Sequence, residues 1–295
     1  MVPRVNTNGR ALILLILLAL IWGTSFILMK RALEVFSAGE LGSLRVTAAS
    51  VFLLPLAFLK IRELQARHYL KLFISGMMGI FFPAFLFALA QTELESSVTG
   101  IMNSLTPICT LLIGVFFFQQ QFRRQSIIGI VLGLAGTVIL IAANARGSFG
   151  GVNLFALLVI MACIFYATNL NYIKYKITDL GALTITSVSL LLIGPLALIY
   201  LLAFTEFTHK MQTEDGAWVA FGYTLLLGFM STSLATILFN KLVKISSPLY
   251  TSSVTYLIPV VAVLWGVFDG ESLFPGHFAG MAAIIGGVYL ANRKT

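Results

Sequence analysis

Residues 11–31 read ALILLILLALIWGTSFILMKR, an apolar run that closes on two cations. At about 1.5 Å of rise per helical residue, about twenty such residues cross a hydrocarbon core of about 30 Å. Lipid offers the backbone no hydrogen-bond partner, so only a helix or a closed barrel can span it. Barrel strands alternate apolar and polar side chains, and this run does not. Outward from it the same pattern recurs at 39–60, 69–91, 97–118, 125–143, 152–173, 181–204, 217–240, 248–268 and 275–292. The connecting stretches are short, the longest being 205–216. A chain that is 59% hydrophobic and 10% charged agrees with this pattern. The reading is an all-α integral membrane protein of ten transmembrane helices. Arg10 followed by an apolar run imitates a secretory leader, but the run continues to Met29 without a convincing cleavage site, so it is read as the first helix.

Charge sets the orientation, because Lys and Arg stay on the cytoplasmic side of inserted helices. With the amino terminus inside, fourteen cations fall on cytoplasmic segments, and only Lys30, Arg31, Arg146 and Lys210 fall outside. Nine of the eleven acids fall outside, leaving Glu63 and Asp179 within. Both termini are then cytoplasmic. The net charge of +8 is mostly this asymmetry. It is not a basic patch on one folded surface, so nucleic acid is not an expected partner. Cys109 and Cys163 both lie inside spans and read as free thiols.

The chain also resembles itself. Trp22, Ser25 and Lys30 face Tyr166, Asn169 and Lys174 at one offset. In the fourth and ninth spans, Thr99, Asn103 and Pro107 match Thr251, Thr255 and Pro259, and Gly129, Ala135 and Gly136 match Gly280, Gly286 and Gly287. Five spans per copy is an odd number, so the second copy inserts upside down. The domain reading is therefore two inverted five-helix repeats, 1–149 and 150–295. Such halves can exchange conformations about a site near the midplane, which is a physical argument for transport.

The Trp-Gly-Thr-Ser-Phe stretch from Trp22, the Leu44-Arg45 pair, the proline-containing fourth and ninth spans and Gly270-Glu271 resemble EamA-type members of the drug/metabolite transporter superfamily. The resemblance covers nearly the whole chain. It implies a ten-helix inverted-repeat carrier of the bacterial inner membrane, often exporting amino acids or related metabolites. One departure stands out: Gln119-Gln120-Gln121 occupies the place after span four where the family often has an acid.

Polar residues within the spans nominate a cavity. Thr99, Asn103, Pro107 and Thr110 recur at helical spacing, and span nine repeats the face with Thr251, Thr255 and Pro259, Tyr256 beside it. Helix packing through Ser and Thr is the alternative reading. Asn103 favours a cavity, because an amide in lipid needs several partners. Trp22, Ser25, Tyr166 and Asn169 complete the candidate lining; Asn169 and Asn171 lie two apart and cannot share a face. Gln91 and Asn240 are cavity-mouth candidates. Pro107 and Pro259 each remove an intrahelical hydrogen bond and are hinge candidates. Arg45, the one cation well inside a span, is a gate or ion-pair candidate with Glu40 and Glu271.

This lining suits a neutral or zwitterionic small molecule with an apolar group, which would be the partner along with the lipid bilayer. No cofactor or metal is expected; His68, His209 and His277 lie apart, in loops or at helix ends. No Asp or Glu falls near the midplane, which favours facilitated diffusion or exchange over strict proton coupling. The expected function is an exporter of amino acids or similar metabolites, compatible with a monomer. Proton-coupled multidrug efflux is the competing carrier reading, and a channel stays open. An intramembrane enzyme would need a Ser/His, Asp/Asp or metal constellation at depth, which the spans lack, so the chain is not read as an enzyme.

Overall fold

A computed structural model describes residues 7–120, 124–143, 154–245 and 248–292. Helices α1 (Thr7–Leu33), α2 (Ala38–Lys60), α3 (Ala66–Ala90), α4 (Ser96–Phe118) and α5 (Arg124–Ala143) are followed by α6 (Phe155–Lys176), α7 (Ala182–Ala203), α8 (Ala217–Ile245), α9 (248–268) and α10 (Pro275–Asn292). A short helix, Phe207–Thr213, lies between α7 and α8. No strand occurs among the described residues. Seven of these helices, α1 to α4 and α6 to α8, are long and apolar enough to cross a membrane. Large apolar side chains such as Phe58, Phe116, Phe117 and Trp218 stay exposed on the outer surface. In water that would be an aggregation hazard; on a multipass membrane protein it is the lipid-facing side. Both cysteines are free thiols.

Local sequence explains where several helices begin. Ser37 caps α2: its hydroxyl accepts from the Glu40 amide at 3.3 Å, while the Glu40 carboxylate accepts from the Ser37 amide at 2.7 Å. At the start of α3, the Gln65 amide donates to His68 Nδ1 at 2.9 Å, and His68 Nε2 lies 3.0 Å from Asp179. The His68 hydrogen bond comes first in holding the Asp179 carboxyl below its ordinary value. In α5 and α10, Gly129 and Gly287 let two backbones meet. A Cβ on Gly287 would lie 2.5 Å from the Gly129 carbonyl, so small residues make this a close-packed membrane pair.

Four helices break their regular hydrogen bonding. A π segment interrupts α3 at Met77–Phe81 and α8 at Leu227–Leu234. A tight 3-10 turn interrupts α4 at Asn103–Leu105 and α9 at Ser253–Tyr256. Pro107 and Pro259 follow those turns directly, each in the first turn of the helical segment that resumes, where a missing amide is tolerated.

Candidate functional site

The breaks surround an internal cavity of about 70 Å³, lined from α1, α2, α3, α4, α6, α8 and α9. Trp22 and Ser25 of α1 enter it, with Tyr166 and Asn169 of α6, Asn103 of α4, Asn240 of α8 and Thr255 of α9. Trp22 is fixed from two sides. Its Nε1 donates to the Ser231 carbonyl at 3.0 Å, and its ring meets Phe239 edge-on at 5.0 Å. That carbonyl belongs to the π segment of α8, where i to i+5 bonding displaces backbone groups from their usual partners. Tyr166 stacks on Phe87 with ring centres 5.8 Å apart.

The polar lining is held in place by its own bonds. Ser75 donates to Asn169 Oδ1 at 2.7 Å, and Asn240 donates to Thr186 at 2.8 Å. Asn103 opens the 3-10 turn of α4, where Thr106 donates to its carbonyl at 2.8 Å. Asn171 faces away from the cavity. It is fully buried and donates to the carbonyls of Thr110 and Ala167, both at 3.0 Å.

Several sequence candidates sit elsewhere. Thr99 does not line the cavity; its hydroxyl returns to the Glu95 carbonyl at 3.0 Å. Thr251 is buried outside the lining. Regular helix runs from Ser96 to Met102, so Thr99 sits a turn before Asn103, about 6 Å nearer the start of α4, and the irregular turn begins only at Asn103. Gln91 is buried outside the cavity mouth and donates to the Phe26 carbonyl at 3.1 Å. The Tyr256 side chain lies outside the described residues.

The ion-pair candidates separate in the same way. Arg45 pairs with neither Glu40 nor Glu271, because both acids are taken by lysines. Lys210 lies 2.9 Å from Glu40, and Lys30 lies 3.0 Å from Glu271. Arg45 instead lines the cavity, donating from Nε to the Thr232 hydroxyl at 2.7 Å. Sequence reasoning passed over Ser231, Thr232 and Thr236, all of which line the cavity. Their signal was visible: the Ser231-Thr232-Ser233 run is an unusual polar cluster inside an apolar span.

Lys30 and Glu271 build a second feature, at the ends of α1 and α9. Glu271 Oε1 accepts from the Ser96 amide at 3.0 Å and its hydroxyl at 2.6 Å, and Oε2 accepts from the Ser97 amide at 3.1 Å. A residue distant in sequence thus caps the amino terminus of α4. Lys30 also reaches Asp269 at 2.8 Å and Glu95 at 3.2 Å. Burial pushes the Glu271 carboxyl up, but the bonds from Ser96, Ser97 and Lys30 outweigh it and hold the group below the usual carboxylate range.

With this geometry in view, similarity to known proteins identifies the group. The EamA-like transporter family matches residues 9–142 and again residues 153–293. The chain belongs to that family. An uncharacterized inner membrane transporter of Escherichia coli, YedA, is 25% identical over 280 residues, covering 93% of this chain and 88% of that protein. An uncharacterized transporter of Bacillus subtilis, YvbV, is 24% identical and covers 97% and 92%. A probable amino-acid metabolite efflux pump of Salmonella typhimurium is 25% identical and covers 94% and 93%. A crystal structure at 18% identity superposes with a TM-score of 0.68 over 96% of both chains, and so shares the fold. As an EamA-like protein, the chain is a membrane transporter.

Proposed function

We propose that this transporter is a secondary carrier of the bacterial inner membrane that exports amino acids or related small metabolites. It works by alternating access of two inverted five-helix halves, 1–149 and 150–295, with both termini cytoplasmic. The observation that carries the reading is the internal cavity, walled by helices of both halves and flanked by paired helix breaks. The family match falling twice, on 9–142 and 153–293, supports the duplication. A paired backbone detail supports it too: Gly114 and Gly266, at the offset that pairs Pro107 with Pro259, each accept an amide hydrogen bond from the chain turning past the helix end, from Gln120 and Glu271. The breaks before Pro107 and Pro259 are the hinges of this motion. There a turn of helix can bend without losing a full set of backbone hydrogen bonds.

The relative named as an amino-acid metabolite efflux pump favours that substrate class. Among the described residues the lining carries one cation, Arg45, and no carboxylate, which favours exchange or facilitated movement over proton coupling through a buried acid.

The test is flux of labelled neutral amino acids, aromatic and branched first, into proteoliposomes with and without a pH gradient and with trapped unlabelled substrate. Saturable uptake stimulated by trapped substrate and indifferent to the gradient is expected. Trp22→Ala and Asn103→Ala should cut that uptake by about ten-fold while leaving insertion intact, the scale of a lost buried contact. Unchanged flux in both variants would put the substrate elsewhere.

A further inference from the structure

We infer that Arg45 is the anchor for a carboxylate on the transported molecule, and that this molecule is a small monocarboxylate with an apolar body. The inference deepens the carrier reading and rests on the cavity being the substrate site. Arg45 is the eighth residue of α2, about 10 Å along the helix from its start. It is only 7% exposed and lines the cavity. A guanidinium so placed needs either a partner or a polar path, because it has left bulk water behind.

Among the described residues no carboxylate meets that need. Glu40, one turn back on the same helix, is held by Lys210 and by the Ser37 amide, and Glu271 is held by Lys30 and the start of α4. The bonds Arg45 does make orient it without neutralising it. Nε donates to Thr232 at 2.7 Å, and Nη1 points at the Met29 sulfur at 3.5 Å, a weak acceptor. Among the described residues Nη2 has no hydrogen-bond partner. Thr232 sits in the π segment of α8, beside the Ser231 carbonyl that holds Trp22, so one irregular turn positions both the cation and the aromatic wall. With Nη2 unpartnered and Nη1 on a weak acceptor only, the Nη1–Nη2 edge of the fork can take a carboxylate through two parallel bonds.

The rest of the cavity narrows the class. Among the described residues no second cation lines it, so one negative charge is matched and a doubly charged phosphate ester is not. No acid lines it either, so an ammonium group on the ligand would find only carbonyls and ring faces. Phe26, Phe87 and Phe239 give the apolar body its surface.

The experiment is equilibrium binding to the purified full chain in detergent, read by tryptophan fluorescence at neutral pH. The probes are 3-phenylpropionate, its neutral match 3-phenylpropanamide, and phenyl phosphate. The acid should bind about ten-fold or more tightly than the amide, the scale of a charge-assisted pair. Arg45→Gln should bring the two within about two-fold, and Arg45→Lys should restore part of the gap. The wild-type comparison stands even where a variant fails to fold. Equal affinity for acid and amide, no binding of the acid, tighter binding of phenyl phosphate, or a preference that survives in a folded Arg45→Gln protein would each overturn the inference. A carrier reading that fails shows itself separately, as absent flux in proteoliposomes beside an intact acid preference in detergent.

Discussion

At the carboxyl ends of α4 and α9 the chain turns back over a glycine, with different electrostatics at the two ends. At α9 the chain turns through left-handed Gly270, Glu271 donates its amide to the Gly266 carbonyl at 2.9 Å, and its side chain folds back over that glycine. At α4 it turns through left-handed Gln119, and Gln120 donates its amide to the Gly114 carbonyl at 3.0 Å, again folding back over the glycine. Beyond the backbone they diverge. Glu271 gathers Lys30 and two amides of α4, whereas Gln120 donates one neutral bond to Asn171 at 2.9 Å. Opening the first end means separating a buried carboxylate from its cation and from two helix amides. Opening the second breaks a single amide contact. A turn over a glycine is thus held by a charge and helix amides at α9 and by one neutral side-chain bond at α4.

Removing the two folded-back side chains should give the largest contrast. Glu271→Ala strips a fully buried side chain from Lys30, Ser96 and Ser97, and breaking a buried network of this kind costs about 3–5 kcal/mol. Gln120→Ala loses one neutral bond and should cost about 1 kcal/mol. Unfolding of the two variants in the same detergent measures both, and equal losses would break the comparison.

The glycines beneath those side chains test the same contrast by crowding. A Cβ on Gly266 would lie 2.4 Å from Glu271 Oε2 and 2.9 Å from the Ser97 Cβ, whereas one on Gly114 would lie 2.6 Å from the amide of Gln120. Gln120 can swing aside, but Glu271 is held at four points. Gly266→Ala should therefore destabilise by about 1–3 kcal/mol and Gly114→Ala by less. Thermal unfolding midpoints that move by the same amount would show that the two turns are equally compliant.

Acid should produce the smallest and most selective effect. The folded Glu271 carboxyl is held below the usual range, so its contribution is fully present above the unfolded value of about 4.3 and is lost as pH falls through the folded value. The stability gap between wild type and Glu271→Gln should stay constant at neutral pH and shrink below about pH 4. The gap for Gln120→Ala should not change with pH, because neither Gln120 nor Asn171 titrates. A Glu271 gap that persists in acid would mean its hydrogen bonds matter without its charge.

The sequence by itself determined the solvent and the secondary structure. Apolar runs of spanning length can only be helices in lipid, and helices occupy every one of the ten stretches. Pro107 and Pro259 each fall in the first turn after a 3-10 break, whereas Pro55 and Pro195 sit inside regular helix, so a missing amide alone did not mark the irregular turns. The tertiary structure decided which polar side chains meet. Thr99 does not line the cavity although regular helix joins it to Asn103, because periodicity gives a face and not how far along the helix a cavity reaches. The partner of Arg45 was not legible either. Glu40, Glu271, Lys30 and Lys210 lie on different helices or loops, so their pairing depends on how helices pack, and that packing left Arg45 facing the cavity without a carboxylate. Burial and hydrophobic pattern are written along the chain, residue by residue. Charge pairing is a property of distances across it, and those exist only once the helices have assembled.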